Sequence, residues 1–288
     1  MTDSTPVFLP YRSEFGHMVM HHAPFVKACH NPRKRVICEP GYEALYPCEL
    51  PHIHCDIRPD QNRREWASYD YEYLRYLEET VRESKDIPAS ADFIYPLPRH
   101  PETLDGLELF APKPFAQVDL DSDIDVVICP RKRKFGRDKN WEHWGSVFDE
   151  IADRGLHLFA AGKHDASDVD SWRNRPCPRT SDRPGYYRAW DYDRPLDATI
   201  AAMNKAKLVL STDNGLAHLA MLIGKPLVMI VCADDGVDRV APHNQKVKTK
   251  RFARNNHKNV PIIHINAWNH PHIVADKVQV VMEMTNVV

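Results

Sequence analysis

The chain has 288 residues, 43% of them hydrophobic and 27% charged, with a formal net charge of -2. That is enough for one large α/β domain or two ordinary ones, and the near-neutral balance gives no global field toward nucleic acid or a membrane surface. No apolar run reaches the roughly 18 residues a membrane span needs, the first residues lack a leader pattern, and seven scattered cysteines form no disulfide framework, so a cytoplasmic chain without a transmembrane segment is expected.

In chain order, residues 7–9 read as a strand, 11–16 as a loop and 18–29 as a helix. A second strand, Arg35–Cys38, leads through Gly41 into a short helix ending at Leu45, and 53–57 reads as a third strand. Residues 66–85 form the clearest helix of this half. Trp66, Tyr69, Tyr73, Leu77 and Val81 recur three or four apart, a stripe that core packing explains. Pro96, Pro98, Pro101, Pro112 and Pro114 then interrupt the pattern, which places a domain boundary near 110–122 and divides the chain into 1–115 and 116–288.

Beyond that boundary the α/β rhythm restarts. Residues 124–129 are an almost continuous apolar run, as a parallel strand covered on both faces requires. A helix at 141–153, a strand at 156–160, a polar loop at 165–185, a helix at 196–205, a strand at 208–210 and a helix at 216–223 follow. Strands at 227–232 and 262–265 and a helix at 272–284 complete the pattern. The fold class expected is α/β, with two Rossmann-like domains facing across a cleft, the last helix free to pack back on the first domain.

The segment from Ser211 to His218 concentrates the chemistry. A strand ends at Ser211 and Thr212, the chain turns at Asp213, Asn214 and Gly215, and a helix begins. The first turn of a helix carries free N–H groups and the positive end of the dipole, which together attract an anion. Gly215 permits close approach of a ligand, Thr212 offers a hydroxyl, and His218 offers a ring N–H to a phosphate. Capping alone explains Asp213, but not Thr212, Gly215 and His218 together. Upstream, Arg131, Lys132, Arg133, Lys134, Arg137 and Lys139 crowd a loop after a buried strand, where they can neutralise a diphosphate.

Ser211 to Ala220, followed by Ile223-Gly224-Lys225-Pro226, resembles the Asp-[Ser/Thr]-Gly-x-x-His-x-Ala signature of family 9 glycosyltransferases, the heptosyltransferase-like enzymes of the two-domain GT-B fold. The resemblance implies that Thr212, Asp213, Asn214, Gly215 and His218 bind the diphosphate of a nucleotide-sugar donor, with Asn214 standing where Ser or Thr is usual. Ile128-Cys129-Pro130 and the following Lys139-Asn140-Trp141 resemble the family's strand, loop and Lys-x-Trp element, which adds Lys139 and Arg131 as donor-binding cations. The stretch from Gly155 to Gly162 is similar to the family's strand ending in glycine. At the N-terminus, Arg12-Ser13-Glu14-Phe15-Gly16-His17 resembles the family's Arg-Ser-x-x-Gly-Asp loop, whose Asp is implicated as the catalytic base. Here His17 occupies that position, so Glu14 and His17 both stand as catalytic candidates.

The activity this implies is inverting, metal-independent transfer of a sugar from a nucleoside-diphosphate donor to a hydroxyl of a glycan or other acceptor. The nucleotide sugar is a co-substrate and no cofactor is expected. A sugar-nucleotide-binding regulatory module without catalysis and a sugar-nucleotide epimerase are the alternatives. A DxD spacing at Asp119, Asp121 and Asp123 reads as an acidic connector. His52, His54, Cys48 and Cys55 lack a second correctly spaced ligand pair, so no metal is expected. The basic run from Lys246 to Lys258 suggests a polyanionic acceptor, modified DNA or a phosphorylated glycan, with no nucleic-acid motif to accompany it.

Overall fold

The structure is a computed structural model that describes residues 4–11, 15–55, 71–84, 87–96, 108–120, 123–130, 141, 143–161, 186–212, 214–231, 258, 260–266 and 270–285. The chain divides into two compact units, Met1–Phe110 and Ala111–Val288.

In the first unit, β1 (Pro6–Phe8), β2 (Arg35–Cys38), β3 (Ile53–His54) and β4 (Asp92–Ile94) form a parallel sheet in the order β3-β2-β1-β4. The helix read at 66–85 is α3 (Tyr71–Ser84), and its Leu74, Leu77 and Val81 pack on Val7, Leu9, Ile37 and Ile53. Trp66 and Tyr69 of the expected stripe lie outside the described residues. Arg82 of α3 pairs with Glu78 one turn earlier and stacks over the Phe93 ring at 4.3 Å, which covers the edge strand β4.

The helix expected at 18–29 is compound. A turn, α1 (Phe15–His17), runs into a π-helical turn (Met18–His22) and then α2 (Ala23–Ala28), with Pro24 in the first turn of α2. Lys34 ends it: its Nζ donates to the carbonyls of Val26 and Cys29 at 3.1 and 2.8 Å, satisfying oxygens that a helix terminus leaves open.

Among the described residues of the second unit, six parallel strands run in the order β10-β9-β8-β5-β6-β7. They are β5 (Val126–Cys129), β6 (Leu158–Ala160), β7 (Tyr186–Arg188), β8 (Leu208–Thr212), β9 (Leu227–Val231) and β10 (Ile262–Asn266). Counted from β5, the spatial order is 3-2-1-4-5-6, the doubly wound Rossmann arrangement. Every residue of β5, β8 and β9 is buried, which is why β5 and β9 are uninterrupted apolar runs and β8 is apolar from Leu208 to Leu210, before the buried Ser211 and Thr212.

On one face, Val126, Ile128, Leu208, Leu210, Val228 and Ile230 pack against α4 (Trp144–Asp153) and α7 (Pro271–Thr285). The buried side of α7, from Val274 to Met282, therefore belongs to the second unit's own core. The helices α5 (Pro195–Lys205) and α6 (Gly215–Ile223) pack on each other, and α6 packs on β8 and β9. The carboxylate of Asp197, fully buried in α5, accepts the N–H groups of Phe115 and Ala116 at 2.9 and 3.3 Å and the Arg194 guanidinium. That buried charge is satisfied by three donors, and it clamps the start of the unit onto α5.

Candidate functional site

In a doubly wound sheet the ligand crevice opens at the carboxyl ends of the first and fourth strands, where the winding reverses. Here those strands are β5 and β8, which lie side by side with Cys129 opposite Ser211. Immediately past β8, Asn214 sits in extended conformation as the N-cap of α6. Its Oδ1 accepts the N–H groups of Leu216 and Ala217 at 2.9 and 3.2 Å, and its Nδ2 donates to the Cys129 carbonyl at 3.3 Å. One side chain thus satisfies two orphan donors of the helix and ties its start to the neighbouring strand. The N–H groups of Asn214 and Gly215 take no part in this cap, and they stand with the positive end of the helix dipole at the crevice.

Among the expected donor-binding residues, the structure brings Thr212, Asn214, Gly215 and His218 together at this terminus. Capping, which the sequence offered to Asp213, is performed by Asn214. Ser211 and Thr212 continue β8, paired with Met229 and Ile230, and the helix starts at Gly215, one residue before the expected 216. Thr212 is fully buried and His218 is 2% exposed, so both lie beneath the turn and not on its surface. Gly215 is not among the described glycines with positive φ, which are Gly41, Gly155 and Gly224. Gly224 closes α6 with φ of 93°, its N–H bonded to the carbonyls of Ala220 and Met221.

Arg131, Lys139 and Asp213 lie outside the described residues, as does Glu14. His17 closes α1, and its side chain also lies outside them. Trp141, two residues past Lys139, is 5% exposed and meets Trp144 edge to face at 5.2 Å, which anchors the end of the basic loop in the core. Burial pushes the Cys129 thiol far up, only partly opposed by a hydrogen bond with Ser211, so the sulfur at the crevice is a neutral thiol and no nucleophile. In the Lys246 to Lys258 run, Lys258 is described: its Nζ donates to the Ile223 carbonyl at 3.1 Å, a helix-capping role.

The carboxyl edge of the first unit's sheet gathers aromatic and titratable groups that the sequence did not connect. The His22 ring, fully buried, meets the Tyr46 hydroxyl at 3.2 Å through Nδ1 and stacks on Tyr11 at 5.7 Å. Desolvation lowers the His22 pKa to about 3, so the ring is neutral. Glu43, in the 3-10 turn Glu43–Leu45 after β2, is buried, and its Oε1 lies 2.8 Å from Nε2 of His54, the last residue of β3. His52 lies parallel to His54, ring centroids 6.5 Å apart, as alternate residues of a strand should. Its Nε2 meets the Tyr46 carbonyl at 2.8 Å and the Cys48 thiol at 3.4 Å. Burial raises the Cys48 pKa, against the lowering pull of Lys34 and Arg35. Among the described residues no group of three or more His, Cys, Asp or Glu is placed to hold a metal ion.

The family model for glycosyltransferase family 9 (heptosyltransferase) matches residues 111–265, which start at the first residue of the second unit and end within β10. The chain belongs to glycosyltransferase family 9. It is similar to lipopolysaccharide heptosyltransferase 2 of Escherichia coli K12, 23% identical over 145 residues, which are 49% of this chain. The match spans 40% of that protein's length. Among solved structures, the E. coli ADP-heptose lipopolysaccharide heptosyltransferase II superposes with a TM-score of 0.58 at 15% identity, covering 98% of this chain and 99% of that one. A family 9 glycosyltransferase from Veillonella parvula gives 0.56 at 12% identity, covering 99% and 98%. The fold is accordingly of the GT-B type, built from Rossmann-like α/β units. No helix among the described residues is long and apolar enough to cross a membrane.

Proposed function

We propose that this family 9 chain transfers a sugar from a nucleoside-diphosphate donor to an acceptor hydroxyl, with inversion at the anomeric carbon. The observation that carries this reading is the Asn214-capped start of α6 at the carboxyl end of β8, beside β5. A diphosphate placed there meets two backbone N–H groups and the helix dipole, and Lys139 and Arg131 of the neighbouring loop supply cations. As the bond from the anomeric carbon to the diphosphate breaks, negative charge grows on the leaving oxygen, where these fixed dipoles and cations stabilise it. In this mechanism the stabilisation requires no metal ion. Glu14 and His17 are the proton acceptors that the loop after β1 offers to the acceptor hydroxyl. The E. coli relatives are named for heptose transfer and for ADP-heptose, which makes an ADP-linked heptose the first donor to try.

The test is incubation with a panel of nucleotide sugars, ADP-heptose first, with free nucleoside diphosphate as the readout. Release of diphosphate from one member supports transfer. Binding without release leaves a sugar-nucleotide-binding module, the reading that the replacement of the family's Asp by His17 favours. Absence of binding across the panel refutes the donor turn.

A further inference from the structure

We infer that His270 and His272, which flank the buried Pro271 at the start of α7, form a two-nitrogen chelate for a divalent transition metal, copper(II) first. Both residues are exposed, and their Nδ1 atoms lie 2.8 Å apart, with ring centroids 4.6 Å apart and planes inclined at 43°. Residues two apart within a helix project to different sides and do not meet. This pair meets because His270 stands just before the helix. Its carbonyl accepts the N–H of Ile273 at 2.9 Å, and Pro271 holds φ fixed at the first helical position. The short stretch of chain that carries both rings is therefore rigid, with its proline in the core and its imidazoles in water.

Two exposed rings gain little by bonding to one another, since water offers each nitrogen as good a partner. With both ring protons on Nε2, however, the two Nδ1 lone pairs face each other closely enough for one cation to take both. A metal bound to imidazole at about 2.0–2.1 Å and at a right angle sets its two nitrogens about 2.8–3.0 Å apart, whereas a tetrahedral site spreads them to about 3.3–3.4 Å. The 2.8 Å separation suits a tetragonal ion, copper(II) or nickel(II), and copper(II) is the tighter of the two. Binding exchanges two waters of the ion for two nitrogens, with no redox change. Among the described residues no third His, Cys, Asp or Glu completes the group, so the other positions are left to water. Asp276, one turn along α7, is held by Arg154 at 2.6 Å. The positive end of the helix dipole opposes a cation here, so the affinity comes from the two nitrogen bonds and hard ions such as calcium are excluded. Strands β9 and β10 separate the pair from the donor turn that follows β8.

The experiment titrates copper(II) into the full chain in the presence of glycine, which holds copper away from lone surface histidines. Calorimetry gives the affinity and electron paramagnetic resonance counts the nitrogens. One copper per chain with two imidazole nitrogens in its plane is expected, and nickel(II) should bind at the same place more weakly. His270→Asn keeps a good capping residue before the helix, and His272→Gln keeps a polar side chain on its surface. Each should lower copper affinity at least about tenfold, because the second ring acts at high effective concentration on the same turn. His264→Gln, which removes an exposed ring of β10, should leave the affinity unchanged. Copper held as tightly by both variants as by the wild type, a spectrum with a single nitrogen, or an equal loss in His264→Gln shows an adventitious ion only and overturns the chelate. Thermal melts without metal check that the variants are folded, and should one melt early, the other decides. None of these readouts uses donor cleavage, so the chelate stands or falls apart from the transferase reading.

Discussion

Nδ2 of Asn214 donates to the carbonyl oxygen of Cys129 at 3.3 Å, joining the first turn of α6 to the end of β5 across the sheet's switch point. Asn214→Ala removes this tie and the cap on Leu216 and Ala217, and a loss of about 1–2 kcal/mol in stability is expected. Asn214→Asp keeps the capping oxygen but sets a negative charge where the diphosphate is proposed to bind. It also loses the Nδ2 donor to the Cys129 carbonyl, so it should melt below the wild type, and donor affinity should fall at least about tenfold, a loss of roughly 1.4 kcal/mol. Thermal melts and titration calorimetry on both variants separate fold from binding.

His218 lies buried in the first turns of α6, beneath the proposed diphosphate position. His218→Ala is expected to abolish measurable donor binding, and Lys139→Ala and Arg131→Ala to weaken it, each by removing a donor to the phosphates. A His218→Ala chain that melts cooperatively and binds the donor with unchanged affinity refutes a phosphate-binding role.

Gly224 has φ of 93°, and a Cβ built there comes 3.0 Å from Cδ of Lys258. The left-handed backbone alone costs a non-glycine residue about 1–2 kcal/mol. Gly224→Ala should lose about that much, with Lys258 displaced from the Ile223 carbonyl. Gly224→Asn should lose less, because Asn tolerates this region better. Chemical denaturation with an unchanged m-value measures both.

His22 gives the first unit an acid-sensitive core. Its pKa is lowered by burial from 6.5 to about 3, so between those values the unfolded chain binds a proton that the folded chain refuses. Stability is therefore full above about 6.5 and falls as pH drops, by up to roughly 1.4 kcal/mol per pH unit. Asp125 acts with the same sign: burial raises its pKa, but the His157 N–H and Lys207 outweigh that and hold it low, so its contribution is lost as acid protonates it. His22→Phe should flatten the pH dependence of unfolding between about 6.5 and 3, though the Tyr46 hydroxyl loses its partner.

How much of this was legible in the sequence depended on how each element is buried. Strands β5, β8 and β9 are covered on both faces and were plain as apolar runs. Asp92–Ile94 and Tyr186–Arg188 are edge strands of three residues that carry Asp92 and Arg188, too short for any period to emerge. The donor turn was legible because its parts are contiguous, although the choice of cap was not: Asp and Asn serve equally, and only the length of β8 decides between them. Glu43 and His54 were invisible as a pair. They stand eleven positions apart, and it is the pairing of β2 with β3, not any local spacing, that brings them together.

The order β7-β6-β5-β8-β9-β10 also dictates when the second unit can be completed during synthesis. Strand β5 needs β8 as a neighbour, and about 80 residues separate Cys129 from Leu208. At the roughly 5–20 residues per second of translation, the open edge of β5 waits some 4–16 s before its partner exists. Through that interval an unpaired row of N–H and C=O groups flanked by Val126, Val127 and Ile128 is offered to any other chain. Newly made protein should therefore depend on holding chaperones far more than its finished stability would suggest, and the crevice takes shape only once β8 and α6 have been made.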